Sequence, residues 1–288
     1  MINDNKSRLK KLLKNKTILI TGGAGSIGSS LTKTLLEYSV KSIRVFDNNE
    51  HALFKLSHSL NDSRIEPLLG DILNKDRIEF AVLGSDIIIH TAALKNIEIT
   101  EYNPIETIDV NVNGTINLLK SIIRNKSQIF INISTDKVAE SSTLYGATKQ
   151  LGERLTNWAG PHIDTSKFAT VRLGNIIETR GNVFEVWNEQ LKNNLPLSIT
   201  DPKMKRYFFH MNEAVDFILQ CMLHVNKGEI FVPKMKLHTI TDLASKLSKN
   251  QKIIGARQGE KLQEILITEE EKKISEEKEN MWIIQNYS

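Results

Sequence analysis

The chain has 288 residues, 40% hydrophobic and 25% charged, with 15 glycines, 6 prolines, one cysteine and a formal net charge of +4. That length suffices for one large domain or two smaller ones with a real core, and the composition excludes disordered and collagen-like chains. Cys221 stands alone, which excludes an internal disulfide; no apolar run reaches the roughly 18 residues of a membrane span, and Ser7 to Lys16 is too basic for a signal peptide, so a soluble, cytoplasmic protein is expected.

The charge is unevenly placed. Lys6, Arg8, Lys10, Lys11, Lys14 and Lys16 stand against Asp4 ahead of the first strand, and the rest of the chain is close to neutral. With Leu9, Leu12 and Leu13 among them, residues 1–15 read as a basic helix or lead-in packed beside that strand. A basic face carrying phosphate-reading residues is missing, so a nucleic-acid partner is not expected.

From Lys16 onward, β-branched runs alternate with amphipathic stretches. Lys16–Thr21, Ser42–Asp47, Ile65–Leu69, Asp86–His90, Gln128–Ile133 and Phe168–Leu173 read as buried strands. Between them, Ile27–Glu37, Glu50–Leu60, Lys75–Val82, Pro104–Arg124 and Leu144–Trp158 have helical spacing. Strand and helix in alternation predict an α/β fold with a doubly wound parallel sheet. After Leu173 the rhythm breaks. Val183–Asn193 and Asn212–His224 read as helices, and Glu229–Val232 reads as a strand able to return to the sheet. Trp282–Ile284 is strand-like, and the charged run Glu269–Glu279 reads as a solvated face. The expected organisation is a dinucleotide-binding unit, residues 16–173 with about 208–232, and a smaller discontinuous α/β unit for substrate, residues 174–207 with about 233–288. Cys221, Met222 and Phe217 fall on one apolar helix face and read as core. No Cys or His spacing suggests a metal site.

The first strand runs into Thr21-Gly-Gly-Ala-Gly-Ser-Ile-Gly28, and a helix begins at once. Gly22, Gly25 and Gly28 permit a tight turn, close approach to a pyrophosphate and close packing of helix on strand; Ser26 and Ile27 open the helix whose amide donors and dipole favour an anion. This is the fingerprint of a Rossmann-type site. Asp47 closes the second strand, where a carboxylate accepts from both hydroxyls of an adenosine ribose and repels a 2′-phosphate, so NAD is favoured over NADP. Its other reading is a cap for the helix near Glu50. Asp71, with Ile72, follows the third strand at the same edge, placed either to contact adenine or to make a turn.

The fifth strand ends in Ser134-Thr-Asp-Lys137, and Tyr145 follows with Lys149 one helical turn on. A lysine on the same helix face can lower the phenol's pKa and hold a nicotinamide ribose, while the phenolate removes a proton from a substrate hydroxyl.

The glycine loop followed by Tyr145 and Lys149 resembles the extended short-chain dehydrogenase/reductase family, which acts on nucleotide sugars. Further blocks narrow the likeness: His90-Thr-Ala-Ala-Leu-Lys95, Glu101-Tyr-Asn-Pro104, Asn111-Val-Asn-Gly-Thr115, Ser134 to Lys137, Arg172-Leu-Gly-Asn175, Thr200 to Tyr207 and Gly259-Glu-Lys-Leu262. Together they resemble the inverting UDP-N-acetylglucosamine 4,6-dehydratases of polysaccharide biosynthesis, over nearly the whole chain. The resemblance implies oxidation at C4 of the sugar, loss of water across C5 and C6, and hydride return to C6. By that resemblance Tyr145 initiates at C4, Thr135 polarises the C4 oxygen, Asp136 is the acid for the leaving hydroxyl and Lys137 the C5 base, its pKa depressed by burial and by Lys149. Ala92 joins the cofactor-binding set. Lys95, Asn175 and Arg206 fall to the sugar and diphosphate, and Glu260 to the ribose of a UDP-sugar. A homo-oligomer is expected. Val138–Thr143, Glu178-Thr179 and Glu98 depart from the family pattern, which leaves the hexose and its C2 substituent open. A 4-epimerase of the same family is the alternative, with a non-catalytic dinucleotide sensor more distant; charged residues at 136 and 137 favour dehydration.

Overall fold

The computed structural model describes residues 2–179, 181–255 and 260–285. Helix α1 (Ile2–Leu13) turns Leu9 and Leu13 into the core and leaves its lysines outside. Then follow β1 (Thr17–Thr21), α2 (Ser26–Leu35), β2 (Ser42–Asp47), α3 (Glu50–Leu60), β3 (Ile65–Leu69), α4 (Lys75–Val82) and β4 (Ile87–His90). The chain continues through α5 (Ile97–Tyr102), α6 (Pro104–Ile108), a π-helical turn at Asp109–Asn113, α7 (Gly114–Asn125), β5 (Ile129–Thr135), a 3-10 turn at Asp136–Val138, α8 (Leu144–His162) and β6 (Lys167–Leu173). Beyond the break come β7 (Asn175–Ile176), α9 (Val183–Lys192), β8 (Leu197–Ile199), β9 (Lys205–Phe209), α10 (Met211–Cys221), β10 (Lys227–Pro233), β11 (Leu237–Thr239), α11 (Ile240–Ser245), β12 (Gln251–Ile253), α12 (Glu269–Lys273), β13 (Ser275–Glu277) and β14 (Met281–Ile284).

The fold is the expected α/β one. Nine strands form one sheet in the order β13-β14-β10-β6-β5-β4-β1-β2-β3, parallel from β3 to β10. Alternate residues of the inner strands serve opposite faces. Ile18, Ile20, Ile87, Ile89 and Ile131 pack on one side with Leu31, Leu35 and Ile218, while Leu19, Ile88 and Phe130 pack on the other with Ile78, Leu118 and Ile122. Cys221 lies in the first core. Strand order reverses between β1 and β4, and a crevice for ligand opens there at the strands' carboxyl ends. Two small sheets, β11-β9-β7 and β12-β8, enclose a separate core around Trp187, Leu197, Ile199 and Met204.

Four sequence expectations change. Strand β3 is half exposed rather than buried because it is the sheet's edge. The single helix expected over Pro104–Arg124 is two helices joined by the π turn, whose extra residue turns Asn111 inward. Strands β13 and β14 do not belong with the smaller sheets: β14 pairs antiparallel with β10 and extends the large one. In the charged run, Glu271 is buried against Arg172, so that stretch is not a uniformly solvated face.

Candidate active site

The glycine loop is built by close approach. Gly22 has φ +65, and a Cβ there would lie 2.6 Å from the Ala92 nitrogen; one on Gly28 would lie 2.5 Å from the Gly22 oxygen. Any side chain would fill the cradle between β1 and α2, so these positions fit a dinucleotide lying over bare backbone. Gly25 precedes α2, which opens at Ser26 with no side-chain cap. Asp47 Oδ2 accepts from the Ala24 nitrogen at 3.0 Å and Oδ1 from the Asn49 nitrogen at 3.0 Å. The cap of α3 is Asn49, which accepts from the Ala52 nitrogen, so Asp47 stands beneath the glycine loop and not on the helix. At the end of β3, Asp71 accepts from the Leu73 nitrogen at 2.8 Å, the turn reading of that residue. Ile72 is buried against Gly114.

Buried His90 ends β4. Its Nδ1 lies 2.7 Å from the Thr21 hydroxyl and its Nε2 3.1 Å from the Thr115 hydroxyl. Thr115 donates to the Asn111 carbonyl at 2.7 Å, so Nε2–H donates to Thr115 and Nδ1 accepts from Thr21. Burial, with the Lys149 charge, pushes His90 down to about 3. Buried Asn111 ties two segments beside the site: its amide bonds the backbone nitrogen and oxygen of Leu94 at 2.8 and 2.9 Å and the Thr148 hydroxyl at 3.0 Å. The π turn thereby steadies α8 beside Lys149.

Thr143 caps α8 by accepting from the Gly146 nitrogen, which sets Tyr145 in the first turn and Lys149 one turn on. Both line one cavity of about 400 Å³ that also takes in Ile27, Thr135, Asp136 and Lys137. Burial lowers the Lys149 ammonium to about 8, with Glu153 opposing. Burial raises the Tyr145 phenol; the Lys137 charge and a hydrogen bond with Thr135 act against it. The expected lowering by Lys149 is therefore not what the protein shows, and the cation acting on the phenol is Lys137.

The carboxyl end of β5 carries the densest charge. Lys137 Nζ donates to Asp136 Oδ1 at 3.0 Å and lies 3.0 Å from Glu264 Oε1; Thr135 donates to Asp136 Oδ1 at 3.0 Å. Asn175 donates to Glu264 Oε2 at 2.8 Å and to the Tyr207 carbonyl at 3.2 Å, and Arg206 Nε stands 3.2 Å from Glu264 Oε1. Burial and the neighbouring Glu264 push Asp136 up to about 7. Burial alone would lower Lys137, but Asp136 and Glu264 outweigh it and hold the ammonium above its ordinary value. The expectation of a depressed Lys137 is thus overturned: two carboxylates at contact distance exceed the cost of desolvation.

Lys95 and Glu260 line the same cavity, and desolvation with the Lys137 charge lowers the Lys95 ammonium. Gly259 lies outside the described residues. The structure therefore gathers Lys95, Thr135, Asp136, Lys137, Tyr145, Lys149, Asn175, Arg206 and Glu260 around one cavity, with Ala92 against the glycine loop. Sequence reasoning missed Glu264. No local pattern marks it, since its partners Lys137 and Arg206 lie far from it along the chain.

A family model described as polysaccharide biosynthesis protein matches residues 18–286. A Campylobacter jejuni protein named UDP-N-acetylglucosamine 4,6-dehydratase (inverting) is 36% identical over 281 residues, covering 95% of this chain and 84% of its own. A Rickettsia bellii protein named UDP-glucose 4-epimerase is 35% identical over 282 residues, covering 94% and 83%. The X-ray structure of Pen from Bacillus thuringiensis superimposes with a TM-score of 0.92 at 32% identity, over 96% of this chain and 90% of that one.

Proposed function

The chain belongs to the polysaccharide biosynthesis protein family, and on that premise we propose that it is an NAD-dependent nucleotide-sugar 4,6-dehydratase acting on UDP-N-acetylglucosamine with inversion at C5. One observation carries the reading: an acid and a base, buried Asp136 and half-buried Lys137, stand 3.0 Å apart just past the end of β5, in the cavity that holds Tyr145. A 4-epimerase needs the C4 chemistry alone and has no use for such a pair.

Gly22, Gly25, Ser26, Ile27, Gly28, Asp47, Asp71, Ile72 and Ala92 would hold the dinucleotide, with Lys149 on its nicotinamide ribose. A bound NAD would supply the hydride acceptor for C4 and the hydride donor for C6. Tyr145, hydrogen-bonded with Thr135, takes the C4 hydroxyl proton as the phenolate, the form that the Lys137 charge favours and burial opposes. Once C4 is a ketone the C5 proton is acidic, and Lys137 removes it while Asp136 protonates the C6 hydroxyl as it leaves as water. This requires Asp136 protonated and Lys137 neutral, a form reached from the resting ion pair when the proton crosses the 3.0 Å hydrogen bond. Elimination leaves Asp136 ionised and Lys137 charged; the surroundings favour that charge on Lys137 and oppose it on Asp136. Inversion at C5 then needs a proton from the ring face opposite Lys137, supplied by solvent, while Lys137 passes the proton it took back to Asp136 across the 3.0 Å hydrogen bond. Arg206 and Asn175, from β9 and β7, would meet the diphosphate, Glu260 the uridine ribose and Lys95 the sugar.

Mass spectrometry of the purified protein with a panel of UDP-sugars tests this. Loss of one water from UDP-N-acetylglucosamine without added reductant is expected, and Lys137→Ala and Tyr145→Phe should each lower the rate by about a hundredfold or more. A product of unchanged mass, altered only at C4, would establish the epimerase reading that the Rickettsia relative supports.

A further inference from the structure

We propose that Glu264 is the positioning residue of this site, a carboxylate that holds Lys137, Arg206 and Asn175 together and so makes the diphosphate clamp and the acid–base pair one electrostatic unit. The roles of those partners rest on the dehydratase reading above.

Glu264 reaches the site from a different direction than its partners. Its backbone travels with β9: the Lys205 nitrogen donates to the Leu262 oxygen at 2.8 Å, and Lys205 bridges to Gln263. The carboxylate therefore moves with Arg206, the next residue of that strand, while Asp136 and Lys137 are fixed to β5. Oε1 lies 3.0 Å from Lys137 Nζ and 3.2 Å from Arg206 Nε, and Oε2 accepts from Asn175 at 2.8 Å. The side chain is only 9% exposed, so solvent does little to screen these contacts. Without its charge, Lys137 would keep Asp136 as its carboxylate and Arg206 would lose the carboxylate beside it.

That charge has a second effect. Burial opposes ionisation of Glu264, but the Lys137 charge, hydrogen bonding with Asp136 and the Arg206 charge outweigh it and hold the carboxylate down to about 2. Burial pushes Asp136 up to about 7, and the fixed negative charge of Glu264 adds to that push while Lys137 opposes it. The active form of the Asp136/Lys137 pair carries one proton, so the acid limb of kcat/KM reports loss of the first of two, and Glu264 raises it above where burial and Lys137 alone would leave it.

The test uses the isosteric Glu264→Gln and the charge-conserving Glu264→Asp in the full chain. In Glu264→Gln the acid limb should move to lower pH by about one unit, because the opposing charge is gone, and UDP should bind about tenfold more weakly by calorimetry, because Arg206 loses its anchor. Glu264→Asp should keep the acid limb where the wild type has it. A Glu264→Gln protein with wild-type UDP affinity and a superimposable acid limb would overturn the proposal, as would a uniform loss of rate with the limb unmoved. UDP binding needs no turnover. Should the wild type dehydrate no UDP-sugar while Glu264→Gln still weakens UDP binding, the dehydratase reading fails and the anchor stands.

Discussion

His90 lies wholly inside the protein between two threonine hydroxyls and stays unprotonated down to about 3, against an ordinary value of 6.5. The unfolded chain takes up that proton near 6.5. Acidification from there toward 3 therefore drains stability from the folded state, at about 1.4 kcal/mol per pH unit for this one group. Between pH 7 and pH 5 the wild type should lose about 2 kcal/mol more in urea unfolding than His90→Gln, which has no ring to titrate. Equal losses in the two proteins would remove His90 from the account. The neighbouring Tyr145 and Lys149 were legible in the sequence because their relation is local, one turn of one helix. Glu264 was not, because its partners Lys137 and Arg206 come from distant parts of the chain and only folding brings the three charges together.

Helix α8, strand β6 and helix α12 are joined by one buried guanidinium. Arg172 on β6 bonds Glu153 of α8 at 3.1 and 2.7 Å and Glu271 of α12 at 2.9 and 2.7 Å, and also donates to the Leu266 carbonyl at 2.8 Å. The charges hold α12 against the helix that carries Tyr145 and Lys149. Removing the cation leaves two carboxylates buried against each other. Arg172→Met should therefore cost about 3–5 kcal/mol in denaturant unfolding, while Glu271→Gln, which keeps the Glu153 pair, should cost less than half of that. A smaller loss in Arg172→Met than in Glu271→Gln would contradict this assignment. In the sequence, Glu271 sits within a run of acids and lysines, and nothing local distinguishes it from its solvated neighbours. The π turn was hidden for a similar reason. Helical periodicity over Pro104–Arg124 tolerates one extra residue, and the need for it appears only where Asn111 meets Leu94 and Thr148.

Over the whole molecule, the large sheet closes with residues from the end of the chain. Strand β14 buries Met281, Ile283 and Ile284 and covers the edge of β10, which would otherwise present a row of unpaired backbone groups. A chain ending at Lys273 should lose about 5 kcal/mol or more from those three side chains alone and precipitate or melt at far lower temperature, as read by circular dichroism. Near-native melting of the shortened chain would mean the edge strands are dispensable. Among the described residues no helix is long and apolar enough to cross a membrane.

The sequence by itself determined the parallel sheet, the glycine loop, Asp47 at the end of β2 and the Tyr145–Lys149 pair. Each follows from steric limits, hydrophobic period or helical spacing within a few residues, and such short-range rules operate before the chain is folded. Tertiary structure decided the protonation of the site. Lys137 alone reads as a base waiting to be depressed by burial, yet Asp136 and Glu264 hold it charged. It also decided the ownership of the last strands, since β13 and β14 join the large sheet through pairing with β10 that no local pattern encodes. Coulombic interactions and strand pairing depend on distance in space, and for groups far apart along the chain that distance exists only in the folded protein.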